Sequence, residues 1–100
     1  MYLKVHPSPD SGDVVAVCDD ELLNCTLRHG AIEFFVNETF YGNTPATEGE
    51  VRKALKNASS ANLVGKQAVS IAVDMGILDE DTCIMIGDVP HAQIFQVLQI

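Results

Sequence analysis

The sequence predicts an α+β fold: a two-layer α/β sandwich with two main helices on one face of a mostly antiparallel or mixed sheet of about five strands. Three observations carry this reading. Apolar runs with strand character lie at both ends of the chain, and a capped helical stripe lies in the middle. The resulting order of strands, helices, strands departs from the regular alternation of a doubly wound fold. The 100 residues are a usual length for one domain, taken as residues 1–100, with little room for a second core. An apolar fraction of 47% with 6% aromatics and no tryptophan implies a core of Val, Ile, Leu and Ala with few rings. That is the composition of a globular chain.

Tyr2 to His6 alternates in polarity and Val14 to Cys18 is a compact apolar run. The stretch Pro7-Ser8-Pro9-Asp10-Ser11-Gly12 between them reads as the loose, exposed turn of a hairpin. Neither Pro7 nor Pro9 can donate to a ladder, so the first strand should end near His6. Asp19 is an N-cap candidate ahead of Asp20, Glu21, Leu22 and Leu23, with acids where a helix start favours them, which predicts one or two helical turns. Gly30 punctuates the chain before a strand over Ile32 to Val36. Tyr41-Gly42-Asn43-Thr44-Pro45 is a turn-rich connection.

Thr47-Glu48-Gly49-Glu50 matches the capping box, in which the threonine side chain and the glutamate three residues later each satisfy an orphan backbone amide. Val51, Ala54, Leu55 and Ala58 follow at helical spacing, opposite a charged back carrying Arg52, Lys53 and Lys56. The stripe continues through Ala61, Asn62, Gly65, Ala68, Val69 and Ala72, but one helix from Glu48 to Met75 would be about 40 Å long. The sequence therefore predicts a break near Ser59-Ser60, whose side chains can cap a second helix running to about Met75. Gly76 then serves as C′, and Ile77 supplies the apolar contact of a Schellman-type end. Asp79-Glu80-Asp81 reads as a solvated turn. Cys83 to Ile86 and Ile94 to Leu98 read as two strands separated by a loop from Gly87 to Gln93.

Fourteen acidic residues against six basic ones give a formal charge of -8, which excludes broad, non-specific nucleic-acid binding. A local basic site from Lys53, Lys56 and Lys66, approached by Arg28, stays open. No apolar run reaches the roughly 18 residues of a spanning helix, and the start lacks the apolar stretch of a signal peptide. A cytoplasmic protein without membrane contact is expected. The three cysteines, Cys18, Cys25 and Cys83, have no short paired spacing, which fits reduced thiols without a disulfide. Cys18 and Cys83 read as small core residues and Cys25 as partly exposed. With His6, His29 and His91 they form no Cys-x-x-Cys or His-x-x-x-His pattern, so no metal or other cofactor is expected. The acidic runs lack the register of a calcium loop, and Ser59, Ser60 and Ser70 lack a nucleophile-elbow context.

Two groups of residues have chemistry beyond packing. Gly87, Pro90, His91 and Gln93 combine a flexible glycine, a rigid proline, an imidazole and an amide between two apolar strands. His91 is the best single catalytic candidate, as a group titrating near neutrality that Gln93 or Asp88 could orient. The bland alternative is a histidine that satisfies backbone carbonyls at a corner. Asn62, Gly65 and Lys66 form the second group, at spacings suited to anion binding near a helix start. It is not a Walker A loop, since Ser60 stands where the first glycine belongs and Gln67 replaces the magnesium-binding Ser or Thr. The bland alternative here is a close helix contact at Gly65.

The runs Asn62-Leu63-Val64-Gly65-Lys66-Gln67-Ala68-Val69 and Ile86-Gly87-Asp88-Val89-Pro90-His91-Ala92-Gln93-Ile94, with Gly76-Ile77 between them, resemble the archaeal domain of unknown function family 424. Met1-Tyr2-Leu3-Lys4-Val5, Val15-Ala16-Val17-Cys18-Asp19 and Phe40-Tyr41-Gly42 extend the resemblance over essentially the whole chain. Asp88 stands where the family more often places a second glycine. The resemblance implies an archaeal cytoplasmic protein with a two-layer α/β sandwich, and it brings no established activity or catalytic residues. The leading expectation is a non-enzymatic binding or adaptor module, serving RNA-related or translation machinery, with a protein or a structured RNA as partner. Its contact surface would combine the Gly87-to-Gln93 segment with the Lys66 region. The alternative is a small-molecule enzyme with His91 as acid/base and Lys66 and Asn62 holding an anionic substrate. The edge strand Tyr2 to His6 would suit homodimer pairing.

Overall fold

The structure, a computed structural model, describes residues 1–8 and 12–96. The chain runs β1 (Tyr2–His6), β2 (Asp13–Cys18), a 3-10 turn (Asp20–Leu22), β3 (Thr26–His29), β4 (Ile32–Phe35) and α1 (Glu38–Tyr41). It continues with α2 (Glu48–Lys56), β5 (Ala58–Val64), α3 (Lys66–Asp74), a second 3-10 turn (Glu80–Thr82), β6 (Ile84–Ile86) and β7 (Val89–Phe95). Residues 9–11 of the expected hairpin turn, and Val97 and Leu98 of the expected last strand, lie outside the described residues.

The main sheet has five strands in the order β1-β2-β5-β7-β6, and β3 pairs with β4 in a separate ribbon. β2 and β5 are parallel and the other neighbours antiparallel, so the sheet is mixed. Val15, Val17, Ala61, Leu63, Ala92 and Ile94 point to one face, where they pack with Val51 and Leu55 of α2 and Ala68, Val69, Ile71 and Ala72 of α3. The fold class is as the sequence predicts: an α+β domain with two main helices on one face of a five-stranded sheet. The addition is a cover on the other face, where Val36, Tyr41, Leu27 and Phe34 pack over Ala16, Cys18 and Val64.

Helix α2 starts where the capping box places it. Thr47 Oγ1 accepts from the Glu50 amide at 3.2 Å, and Glu50 Oε1 accepts from the Thr47 amide at 2.9 Å. The stripe beyond it is where expectation and structure part. Ala58 to Val64 is the central strand, and the second helix starts at Lys66, not at Ser59-Ser60. Central strands flanked on both sides and partly covered on both faces lose the alternation that identifies a strand. Ala58, Ala61, Leu63 and Val64 are all buried, and the run ASSANLV mimics a helical stripe.

A second correction concerns the expected loop. Only Gly87 and Asp88 separate β6 from β7, and Val89 to Phe95 is strand, so Pro90, His91 and Gln93 are strand residues. Pro90 is tolerated because it sits at the end of the ladder, where its carbonyl accepts from the Gly65 amide at 2.9 Å and no donor is needed in return. The strand β3 and the helix α1 have no counterpart among the elements expected from sequence. β1, whose exposed edge would suit pairing, is closed over its first residues: Tyr2 bridges Pro45, and the Leu3 amide donates to the Thr44 carbonyl at 3.3 Å.

Candidate functional site

The hydrogen-bond pattern around β5 decides where the candidate side chains lie. The Gly65 amide bonds the Pro90 carbonyl and the Gln96 amide bonds the Ser59 carbonyl. Odd residues of β5 therefore bond β7, which makes Asn62 and Gln93, Val64 and His91, and Ser60 and Phe95 the non-hydrogen-bonded pairs, whose side chains approach more closely. All six point away from the helices, since Ala61, Leu63, Ala92 and Ile94 point toward them.

The covering layer ends across these pairs. Val64 is fully buried, whereas Asn62 and Ser60 are half-buried; His91 is half-buried, whereas Gln93 and Phe95 are exposed. Phe34 of β4 meets the His91 ring edge-on with centroids 4.9 Å apart. The result is a step whose wall is Phe34 and His91 and whose floor is Asn62 and Gln93. Burial lowers the His91 pKa, with no charge or hydrogen bond acting against it, so its imidazole is neutral at neutral pH.

Lys66 lies elsewhere. It opens α3 and lines a cleft of about 520 Å³ on the helix face, together with Val69, Val73, Cys83, Met85 and Pro90. Asp74 and Glu80 line the same cleft. Asp74 is eight residues from Lys66, about 12 Å along the helix axis, and is engaged by Arg52 at 2.7 Å, so Lys66 and Glu80 are the charges along this apolar trough without an ion-pair partner among the described residues. The sheet thus brings Asn62, His91 and Gln93 together on one face and Lys66 and Pro90 together on the other. Arg28 belongs to the ribbon over the first face, where it pairs with Glu33 at 2.6 Å. Among the described residues no group of three or more His, Cys, Asp and Glu is placed to hold a metal. Cys18, Cys25 and Cys83 are free thiols, and burial pushes the Cys18 thiol up to about 11.

The two glycines have backbone roles. Gly87, at φ 64°, turns the β6-β7 hairpin, and its amide donates to His29 Nδ1 at 3.2 Å. Gly65, at φ 112°, leaves room for Asp19, a residue read from sequence only as a local cap. Asp19 is 2% exposed, and its carboxylate accepts from the amides of Gln67 at 3.0 Å and Ala68 at 2.9 Å. It caps α3 from 48 residues away in sequence. No local signal distinguishes this from an ordinary N-cap, because the partner amides belong to a helix brought near only by strand pairing.

Fold and site together define a small α+β domain with an apolar, charge-polarised cleft on its helix face and an uncharged step on its sheet face. The chain belongs to the family described as protein of unknown function (DUF424), whose model matches residues 6–97. It is also similar to a solved structure, the crystal structure of an uncharacterized conserved protein from Methanopyrus kandleri. That protein has 26% sequence identity and a TM-score of 0.76, with 99% of this chain and 95% of that chain covered. No curated protein matches the chain. No helix is long and apolar enough to cross a membrane, among the described residues.

Proposed function

We propose that this protein is a non-enzymatic binding or adaptor module of the cytoplasm, and that the cleft between α3 and the β6-β7 hairpin receives a segment of a protein partner. The observation that carries this is the apolar trough of about 520 Å³ with Lys66 at one end and Glu80 toward the other, beside the Asp74 carboxylate that Arg52 engages. Such a trough suits an apolar side chain flanked by groups of opposite charge, and it joins the Lys66 region to the hairpin. A protein partner accounts for it better than RNA. Arg52, the one guanidinium on α2, is engaged by Glu48 at 3.1 Å and Asp74 at 2.7 Å, which leaves Lys53, Lys56 and Lys66 against a net charge of -8. The enzyme reading needs His91, Asn62 and Lys66 around one substrate, whereas Gly65 turns the chain so that Lys66 opens α3 on the helix side, away from the other two.

The direct test uses anilinonaphthalene sulfonate, an apolar dye with one negative charge. Saturable enhancement of its fluorescence by the wild type, weakened in Lys66→Glu and in Met85→Glu but kept in Lys53→Ala, supports the cleft. Equal enhancement in all four proteins would sink it. Co-purification from the native host then asks whether one and the same partner is lost with Lys66→Glu and Met85→Glu.

A further inference from the structure

We propose that the uncharged step on the sheet face binds adenine, presented by an unphosphorylated nucleoside, with the base edge on Asn62 and Gln93 and its face against Phe95. This site is separate from the helix-face cleft and does not depend on it.

The floor supplies the hydrogen bonds. Asn62 and Gln93 face each other as a non-hydrogen-bonded cross-strand pair, so their amides stand side by side. Neither side chain is engaged with another described residue, and each offers a donor and an acceptor in one plane. Side-chain amides pair bidentately with the amino and ring nitrogens of adenine, whereas guanine is read by Arg or Lys. No arginine or lysine lies on this face of β5 or β7, which carries Ser60, Asn62, Val64, His91, Gln93 and Phe95.

The walls supply shape and stacking. Phe95 lies two residues beyond Gln93 on the same face, about 7 Å along the strand. At 76% exposure it is the most open large apolar side chain described. An exposed ring beside two amides that no described side chain engages is a platform on which a planar base can stack. On the other side of the amide pair, Phe34 meets the half-buried His91 ring edge-on and bounds the step.

Charge sets the ligand's chemistry. Lys4 shares the row of Ala16, Asn62 and Gln93, but its ammonium donates to the Thr39 carbonyl at 2.9 Å. No other cation on these strands meets a phosphate, and the net charge of -8 repels one. The base is therefore taken without phosphate.

The test is a nuclear magnetic resonance titration of the labelled full chain with adenosine, guanosine, adenosine monophosphate and oligoadenylate. The expected result is saturable shifts at Ser60 to Leu63 and Ala92 to Phe95 with adenosine, weaker with guanosine and with either phosphorylated ligand. Phe95→Ala should weaken adenosine about five- to a hundredfold, the range for losing one stacked ring. Gln93→Ala should remove the preference for adenosine over guanosine. Both positions are exposed, so the variants should keep the dispersed spectrum of the fold, and Lys53→Ala should bind as wild type does. Absence of saturable shifts at Asn62 and Gln93 overturns the proposal, as does unchanged affinity in Phe95→Ala. Tighter binding of oligoadenylate than of adenosine overturns the charge argument and makes the step an RNA surface.

Discussion

The carboxylate of Asp19 fills the space beside Gly65 where any other residue would carry its Cβ. A Cβ on Gly65 would fall 2.6 Å from both Asp19 oxygens, and the backbone there has φ 112°. Two constraints of different origin coincide at one position: a conformation that L side chains rarely adopt, and a buried acid that needs the Gln67 and Ala68 amides.

Gly65→Ala should therefore cost about 2–4 kcal/mol of unfolding free energy, more than a helix-start substitution alone would cause. Gly76→Ala is the matched comparison, since Gly76 also has positive φ, at 76°, but a Cβ there would meet nothing within 4 Å. Urea unfolding of both checks this. Equal losses would mean that the Asp19 contact adds nothing beyond backbone strain.

Asp19→Ala should lose about 1–2 kcal/mol, because two helix-start amides are left without their acceptor. Asp19→Asn keeps the shape and one acceptor and should lose less. The pH dependence separates charge from capping. Burial raises the Asp19 pKa above its ordinary 3.8, against the lowering effect of the Gln67 and Ala68 amides. A group raised in the fold favours folding fully below the ordinary value, and that contribution is lost as pH climbs through the raised value. The stability of Asp19→Asn should thus gain on the wild type as pH rises through the window just above 3.8. A difference that stays flat across that window would show that the amides fully offset burial.

The strand register of β5 makes a sharper distinction. A helical stripe through this region puts Asn62 on the buried side and leaves Leu63 off it. The strand does the reverse, with Leu63 fully buried among the helices and Asn62 half-open on the other face. Leu63→Ala should cost about 2–5 kcal/mol, and Asn62→Ala within about 1 kcal/mol. Chemical denaturation of the two variants decides it, and a larger loss at Asn62 would favour the helical register.

That same stretch marks the limit of what sequence can convey. The ends of the chain carry strand signals that survive into β1, β2 and β6, and the capping box at Thr47 fixes α2, because each depends on residues close in sequence. β5 owes its state to β2 and β7 on either side, which overrides the helix preference of its alanines. The candidate residues were legible by type but not by place. Asn62, His91 and Gln93 share a face only because β5 and β7 pair antiparallel, and Lys66 departs from them because one residue, Gly65, turns the chain to the other side of the sheet. Neither Phe95 nor Asp19 carried a signal of its role, the first lying in an apolar run read only as a strand and the second reading as a local cap.

His91 offers the clearest titration. Burial beside Phe34 disfavours its charged form and places its pKa below the ordinary 6.5. A histidine with a lowered pKa in the fold binds its proton more readily when unfolded, so its contribution to stability is complete above pH 6.5 and is lost as pH falls from there through the folded value. His91→Gln, which keeps a planar polar side chain without a titrating group, should remove that part of the slope while leaving stability at neutral pH within about 1 kcal/mol. Following the imidazole carbon protons by nuclear magnetic resonance gives the folded pKa directly, and urea unfolding across the same pH range gives the slope. A His91 pKa at or above 6.5, or an unchanged slope in His91→Gln, would mean that water reaches the ring despite the Phe34 contact, and the step would then lack the neutral wall assigned to it.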